Sequence, residues 1–227
     1  MFRNFEEAAR SVPPGQPIGY DNEDAAAFYR ERLGRVGHDD YPALLWLARA
    51  LQTSRSLVEI GGHVGVAYYS YERLIGYPEG LTWTILDTPA VAEAGARLAR
   101  ERGRHGVRFT SDFAEVEGGD ILFAAGSLQY LPGPLLPERV HGMRLRPRHI
   151  LVNKTPVTDG DGYVTLQSIG VAYCPYRVHS RRELVEPLLS MGYRLVDAWR
   201  KERRLEIPGH PERTLDHYSG FYLVDSR

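Results

Sequence analysis

The stretch Leu57-Val58-Glu59-Ile60-Gly61-Gly62-His63-Val64-Gly65 constrains the fold of this chain more than any other. Leu57, Val58 and Ile60 make the apolar run of a buried strand. It breaks at Gly61-Gly62, where the missing Cβ atoms let the backbone come close to a ligand. From Val66 onward the apolar residues fall at helical spacing, with no proline before Pro78. A strand, a glycine turn and a helix N-terminus in that order suit a nucleotide-like ligand.

Three further strand-like runs follow. Trp83-Thr84-Ile85-Leu86-Asp87 ends in a carboxylate, which at a strand tip can accept hydrogen bonds from both hydroxyls of a ribose. Val107-Arg108-Phe109-Thr110-Ser111-Asp112-Phe113 is a short strand followed by an acid. Asp120-Ile121-Leu122-Phe123-Ala124-Ala125-Gly126-Ser127-Leu128-Gln129-Tyr130 is another, followed by a loop of small residues. Helical stretches over Val91 to Arg102 and Leu135 to Arg144 alternate with these, and His149 to Asn153 reads as a fifth strand. Such alternation predicts a parallel sheet with helices on both faces.

The two ends of the chain read differently. Ser11 to Pro17 is a proline-rich loop after a short N-terminal helix. Residues 22 to 35 read as a polar helix, and Tyr41 to Leu51 as an amphipathic one with Pro42 in its first turn. Near the other end, Ser180-Arg181-Arg182-Glu183 has the pattern of a capping box opening a helix through Leu189, with Gly192 just past its end. Tyr193 to Trp199 and His217 to Val224 then follow as two strands with no helix between them, predicting an antiparallel hairpin. The basic strip Arg200 to Arg204 between them, which contains Glu202, reads as a solvated hairpin.

The order of these parts resembles the class I methyltransferases that use S-adenosylmethionine. That family has a glycine turn after the first strand, a ribose-binding acid after the second, an adenine-binding acid after the third and an active-site loop after the fourth. Glu59-Ile60-Gly61-Gly62-His63-Val64-Gly65 with Leu86-Asp87-Thr88-Pro89-Ala90-Val91 is similar to the small-molecule O-methyltransferases. Gly19-Tyr20-Asp21-Asn22, the turn without a third consecutive glycine, and Gly126-Ser127-Leu128-Gln129-Tyr130 look more like bacterial methyltransferases of undefined substrate. The latter are often associated with surface-polysaccharide or secondary-metabolite gene sets.

The resemblance covers Gly19 to Val224 and implies an α/β, Rossmann-like seven-stranded methyltransferase sheet with an antiparallel C-terminal hairpin and N-terminal helices. On this reading residues 1–52 form a helical cap and 53–227 the methyltransferase domain. The implied cofactor is S-adenosylmethionine. Glu59, Gly61, Gly62, His63 and Gly65 would shape its methionine end, Asp87 and Thr88 its ribose, Asp112 and Phe113 its adenine, with Gly126 and Ser127 beside it.

His63 stands where the O-methyltransferase turn has its central glycine. Either it points to solvent or a neighbouring carbonyl, or it lines the pocket, where an imidazole could contact the cofactor carboxylate or take a proton. Gln129 sits near the place of that family's catalytic histidine, which leaves His179 as an alternative imidazole, unless His179 merely flanks the helix opened by Ser180. Tyr20, Tyr130 and Asn153 are the candidate substrate contacts, with Lys154 and Thr155 nearby. Fourteen tyrosines, including Tyr163, Tyr173 and Tyr176, would suit a pocket for a sugar or an aromatic compound, although tyrosines also serve packing.

Composition narrows the function classes. With 28 basic and 29 acidic side chains the net charge is −1, so no global positive field collects nucleic acid. The single cysteine, Cys174, excludes an internal disulfide framework and CxxC chemistry. No His or acid cluster has metal-ligand spacing, and no Walker loop is present. The N-terminal residues lack a signal-peptide core, and no stretch approaches a membrane span, so a cytoplasmic location is expected.

The expected partner is a small-molecule substrate, without nucleic acid or membrane; a homodimer is compatible. The expected activity is methyl transfer to oxygen or nitrogen of that substrate, a sugar or secondary metabolite among the candidates. Two alternatives stand beside it: an NAD-dependent reductase or epimerase, and a methyltransferase fold serving as a silent binding subunit.

Overall fold

The computed structural model describes residues 1–21, 33–170 and 172–226, so most of the polar helix expected over 22–35 lies outside the described residues. Strands β1 (Ser56–Ile60), β2 (Thr82–Leu86), β3 (Val107–Thr110), β4 (Ile121–Ala125) and β5 (His149–Thr155) are parallel. With β9 (Tyr193–Leu205) and β10 (Leu215–Asp225) they form the expected seven-stranded sheet, ordered β3-β2-β1-β4-β5-β10-β9. β10 runs antiparallel to both β5 and β9. The order reverses between β1 and β4, and in open α/β sheets a ligand crevice lies at that reversal, beyond the carboxyl ends of the strands.

The helices follow the sequence pattern. Helix α1 (Phe5–Arg10) is capped by the Asn4 side chain, and α2 (Tyr41–Ala50) has Pro42 in its first turn. Helix α3 (Val66–Ile75) starts after Gly65, and α4 (Pro89–Glu101) crosses from β2 to β3. Helix α5 (Leu136–Gly142) precedes β5. Leu44, Leu47 and Leu51 join Leu57, Trp83, Ile85 and Phe123 in one buried cluster, so this N-terminal segment shares the core of the sheet. The opposite face is filled by Val58, Ile60, Leu122, Ile150 and Val152 with Leu136, Leu184 and Leu188.

Three expectations need correcting. First, the residues after β5 form a second, three-stranded sheet that the sequence reading left out: β6 (Val157–Thr158), β7 (Tyr163–Ser168) and β8 (Tyr173–Ser180), in the order β6-β8-β7. Second, Ser180 makes no capping bond. Its hydroxyl is buried without a partner among the described residues, because Ser180 ends β8 opposite Thr158. The helix is also split into α6 (Arg181–Leu184) and α7 (Glu186–Ser190), since Pro187 supplies no N–H and disfavours helical backbone just before it. Third, Arg200 to Arg204 lie within β9, and the turn of the hairpin falls between Leu205 and Leu215.

The N-terminal residues pack onto the second sheet. The Phe2 amide donates to the Val164 carbonyl at 2.9 Å. Beyond the proline loop, Gly19 N–H donates to Tyr173 O and Tyr173 N–H to Pro17 O, both at 2.9 Å. Tyr20 is thereby brought over the carboxyl end of the main sheet.

Candidate functional site

A cavity of about 300 Å³ opens at the strand-order reversal, within the range of small-molecule sites. Of the residues singled out above, Tyr20, Gly61, His63, Asp87, Thr88, Phe113, Gly126, Ser127 and Tyr130 line it. Ile60, Leu86, Ser111, Ala125 and Leu131 line it too and escaped the sequence reading. Their signal was positional: each sits at or just beyond the carboxyl end of a strand or in the loop that follows.

The three glycines of the turn do different things. Gly61, at φ 69°, lines the cavity, and a Cβ there would lie 2.3 Å from Ser127 Cβ. Gly62 does not line it; its missing Cβ makes room for the Glu59 carboxyl, 2.6 Å from where that Cβ would stand. Gly65, at φ 92°, starts α3 and leaves space for the Tyr69 ring. Only Gly61 therefore brings backbone to the cavity wall.

Glu59 is buried beneath the turn and accepts a hydrogen bond from Trp83 Nε1 at 2.8 Å. Burial pushes its pKa up to about 8, Trp83 opposing and the Asp87 charge adding to the rise. Glu59 is thus more proton-binding in the folded chain than in the unfolded one. Its contribution to stability is full below the ordinary carboxylate range and is lost as the pH rises through about 8. Glu59→Gln keeps the shape and the Trp83 bond without the ionisation. We expect it to flatten the fall in stability between pH 5 and 8 and to be more stable than the wild type at pH 7, read by denaturant titration at each pH. An unchanged pH slope would refute the assignment.

Asp87 stands at the tip of β2 inside the cavity. Its Oδ2 accepts the His63 amide and its Oδ1 the Thr88 amide, both at 2.8 Å. Burial raises its pKa, while these two bonds act the other way. Asp112 instead uses its Oδ1 to cap the short 3-10 turn Phe113–Val116, accepting from Ala114 N–H at 2.8 Å, and leaves Phe113 to face the cavity. His63 has left-handed backbone, φ 55°, and a buried side chain on the cavity wall. Its ring lies edge-on to that of Tyr20, with the centroids 6.5 Å apart.

The other candidates lie elsewhere. Gln129 is buried outside the lining, donating from Nε2 to the Gly126 carbonyl at 2.8 Å. His179 is buried behind the 3-10 turn Leu128–Tyr130, and neither ring nitrogen reaches hydrogen-bond geometry with a described residue. Burial lowers its pKa to about 4, the Arg177 charge adding to the fall and the Leu128 backbone opposing it.

Asn153 is fully buried away from the cavity. Its Oδ1 accepts from Trp199 Nε1 at 2.9 Å and from the Lys154 amide at 3.0 Å, and its Nδ2 donates to Asp39 O at 3.3 Å. It ties β5 to β9 and to the turn before α2. Lys154 pairs with Asp39 at 3.3 Å and Asp40 at 2.5 Å, and Lys201 also pairs with Asp39. Asn153→Ala is expected to cost about 2 kcal/mol in chemical denaturation, because the half-buried Trp199 indole N–H loses its acceptor and a fully buried side chain is truncated. Ligand affinity in the cavity should stay within twofold; a larger loss there would give Asn153 a binding role.

Among the described residues no group of His, Cys, Asp or Glu could hold a metal ion, and no helix is long and apolar enough to cross a membrane.

No protein-family model matches the sequence, and a search of curated proteins finds no similar one. Solved structures do resemble it. Magnesium protoporphyrin IX methyltransferase from Synechocystis PCC 6803 with bound SAH superposes with a TM-score of 0.58 at 13% identity, over 91% of this chain and 96% of that one. The cyclase SpnF gives 0.53 at 16% identity, over 85% and 83%. A structure concerned with conversion of a disulfide bond into a thioacetal group during echinomycin biosynthesis gives 0.50 at 18%, over 91% and 92%. At these identities the likeness is one of fold, and that fold is the Rossmann-like sheet of the class I methyltransferases.

Proposed function

We propose that the chain is an S-adenosylmethionine-dependent methyltransferase acting on oxygen or nitrogen of a small molecule, a sugar or secondary metabolite in class. One observation carries this reading: the Asp87 carboxylate, the Gly61 backbone and the Phe113 ring line one cavity at the strand-order reversal. The residues present fit the cofactor. Gly61 leaves no side chain in the way, Asp87 offers acceptor lone pairs for a ribose diol, and Phe113 and Leu131 offer apolar surface for adenine. Bound there, S-adenosylmethionine would supply an electrophilic methyl group.

The chain's own contribution is placement and proton handling. Tyr20 and Tyr130, with ring centroids 5.0 Å apart, close the cavity from the acceptor side. Among the described lining residues His63 carries the single imidazole, which makes it the group to accept a proton from a hydroxyl acceptor. Gln129 and His179 take no part in this scheme, being outside the lining. The antiparallel β10 beside β5 speaks against the nicotinamide alternative, as do structural neighbours crystallised with SAH or SAM.

The deciding experiment is calorimetric titration of the protein with S-adenosylhomocysteine and, in parallel, NADH. Micromolar binding of the former alone supports the reading. Binding of NADH alone overturns it.

A further inference from the structure

A second cavity, of about 710 Å³, adjoins the first. Tyr20 and Tyr130 line both, so their two rings form the partition between them. Beyond it the wall is largely apolar: Phe5, Ala9, Pro132, Pro175 and Cys174, whose thiol burial pushes up to about 11 and so keeps neutral. A methyl group delivered from the first cavity would meet its acceptor at this partition, with the body of the acceptor in the second.

The charged and polar side chains of this wall are few. Asn4 is engaged in capping α1, its Oδ1 accepting from Glu7 N–H at 2.9 Å. Glu6 is on the outer rim, largely exposed, and faces Arg10 at 3.7 Å. Arg177 is the exception. It is half-buried on β8, with its guanidinium 4.9 Å from the centroid of the Phe5 ring. No carboxylate among the described residues comes within ion-pair distance of it; Glu138 and Glu183 act on it only from farther away, and Arg139 opposes them. Arg139 differs, since its own N–H groups are given to the carbonyls of Pro132 and Pro134.

A guanidinium does not shed its proton in a protein, so Arg177 holds a half-desolvated charge on an apolar wall without a counter-ion among the described residues. Stacked on a ring, an arginine keeps its in-plane N–H groups for a planar anion. A single cation among the described residues of this wall matches one negative charge, whereas a phosphate dianion calls for more.

We propose that Arg177 is the specificity residue for the acceptor, and that the acceptor is an aromatic compound bearing a carboxylate at the end remote from the methylated atom. This rests on the methyl-transfer reading above and narrows its substrate class.

The test uses the full chain saturated with S-adenosylhomocysteine and titrated with 3-(4-hydroxyphenyl)propionate and, separately, its amide. The acid should bind at least tenfold more tightly than the amide. Arg177→Gln should bring the two within twofold, and Arg177→Lys should keep part of the preference, as a point charge without the bidentate fork. S-adenosylhomocysteine affinity, measured first on each variant, reports that the fold is intact. Equal binding of acid and amide by the wild type, binding of neither, or a preference that survives Arg177→Gln would each overturn the inference. Failure of S-adenosylhomocysteine itself to bind would instead overturn the function from which the inference starts.

Discussion

Replacing Gly61 by alanine is expected to cost about 2–4 kcal/mol of stability and to abolish S-adenosylhomocysteine binding. Two penalties combine. The residue has φ 69°, which strains any side chain, and its Cβ would lie 2.3 Å from Ser127 Cβ. Ser127 cannot easily retreat, because its hydroxyl donates to the Ile60 carbonyl and its own carbonyl accepts from Tyr130 N–H at 2.9 Å. A second change separates the penalties: Gly61→Ala with Ser127→Gly removes the collision and leaves the backbone strain, so about half the loss should return. Denaturant midpoints of the two variants decide the matter. A single variant as stable as the wild type would mean that the two strand ends do not approach this closely.

Asp87→Ala is expected to weaken S-adenosylhomocysteine binding at least tenfold, about 1.4 kcal/mol. The carboxylate is the anion among the residues lining the cavity, and it already holds the amides of His63 and Thr88. Its loss therefore removes an acceptor from the ligand and a brace from the turn at once. Asp87→Asn retains one oxygen and should fall between alanine and the wild type. Calorimetry reads both, and an affinity unchanged in Asp87→Ala would deny the ribose role.

Much of this architecture was legible in the sequence because the deciding signals are local. A buried strand that ends in glycine, a carboxylate at the next strand tip and two final strands without a helix between them are features of neighbouring residues, and all reappear. The second sheet was not legible. β6 is two residues long, and β8 contains Pro175, which ordinarily argues against a central strand. The structure accommodates it because β6 pairs only with His179 and Ser180, so that among the described residues β7 is the one strand beside β8 at Pro175.

Within the site, sequence identified residue types at strand ends but not which way they turn. Glu59 faces Trp83 beneath the turn, and Asn153 faces Trp199. Both partners are remote in sequence, and no spacing rule reaches them. The tyrosines divide likewise. Tyr20 and Tyr130 line the cavity, while Tyr176 and Tyr218 pair through their hydroxyls at 2.5 Å in a buried cluster.

The interior position of β10 has a consequence for how this chain is made. β10 follows every other strand in sequence, yet it lies between β5 and β9. While a ribosome is still adding β10, the edge of β5 that it will cover stays open, a template for pairing with another nascent chain. Among the described residues β9 pairs only with β10, so the two join the open edge of β5 together, as a hairpin. Completion of the sheet is thereby deferred until synthesis has passed Asp225, and a chain stopped at the β9 hairpin would be expected to aggregate instead of persisting as a smaller folded domain.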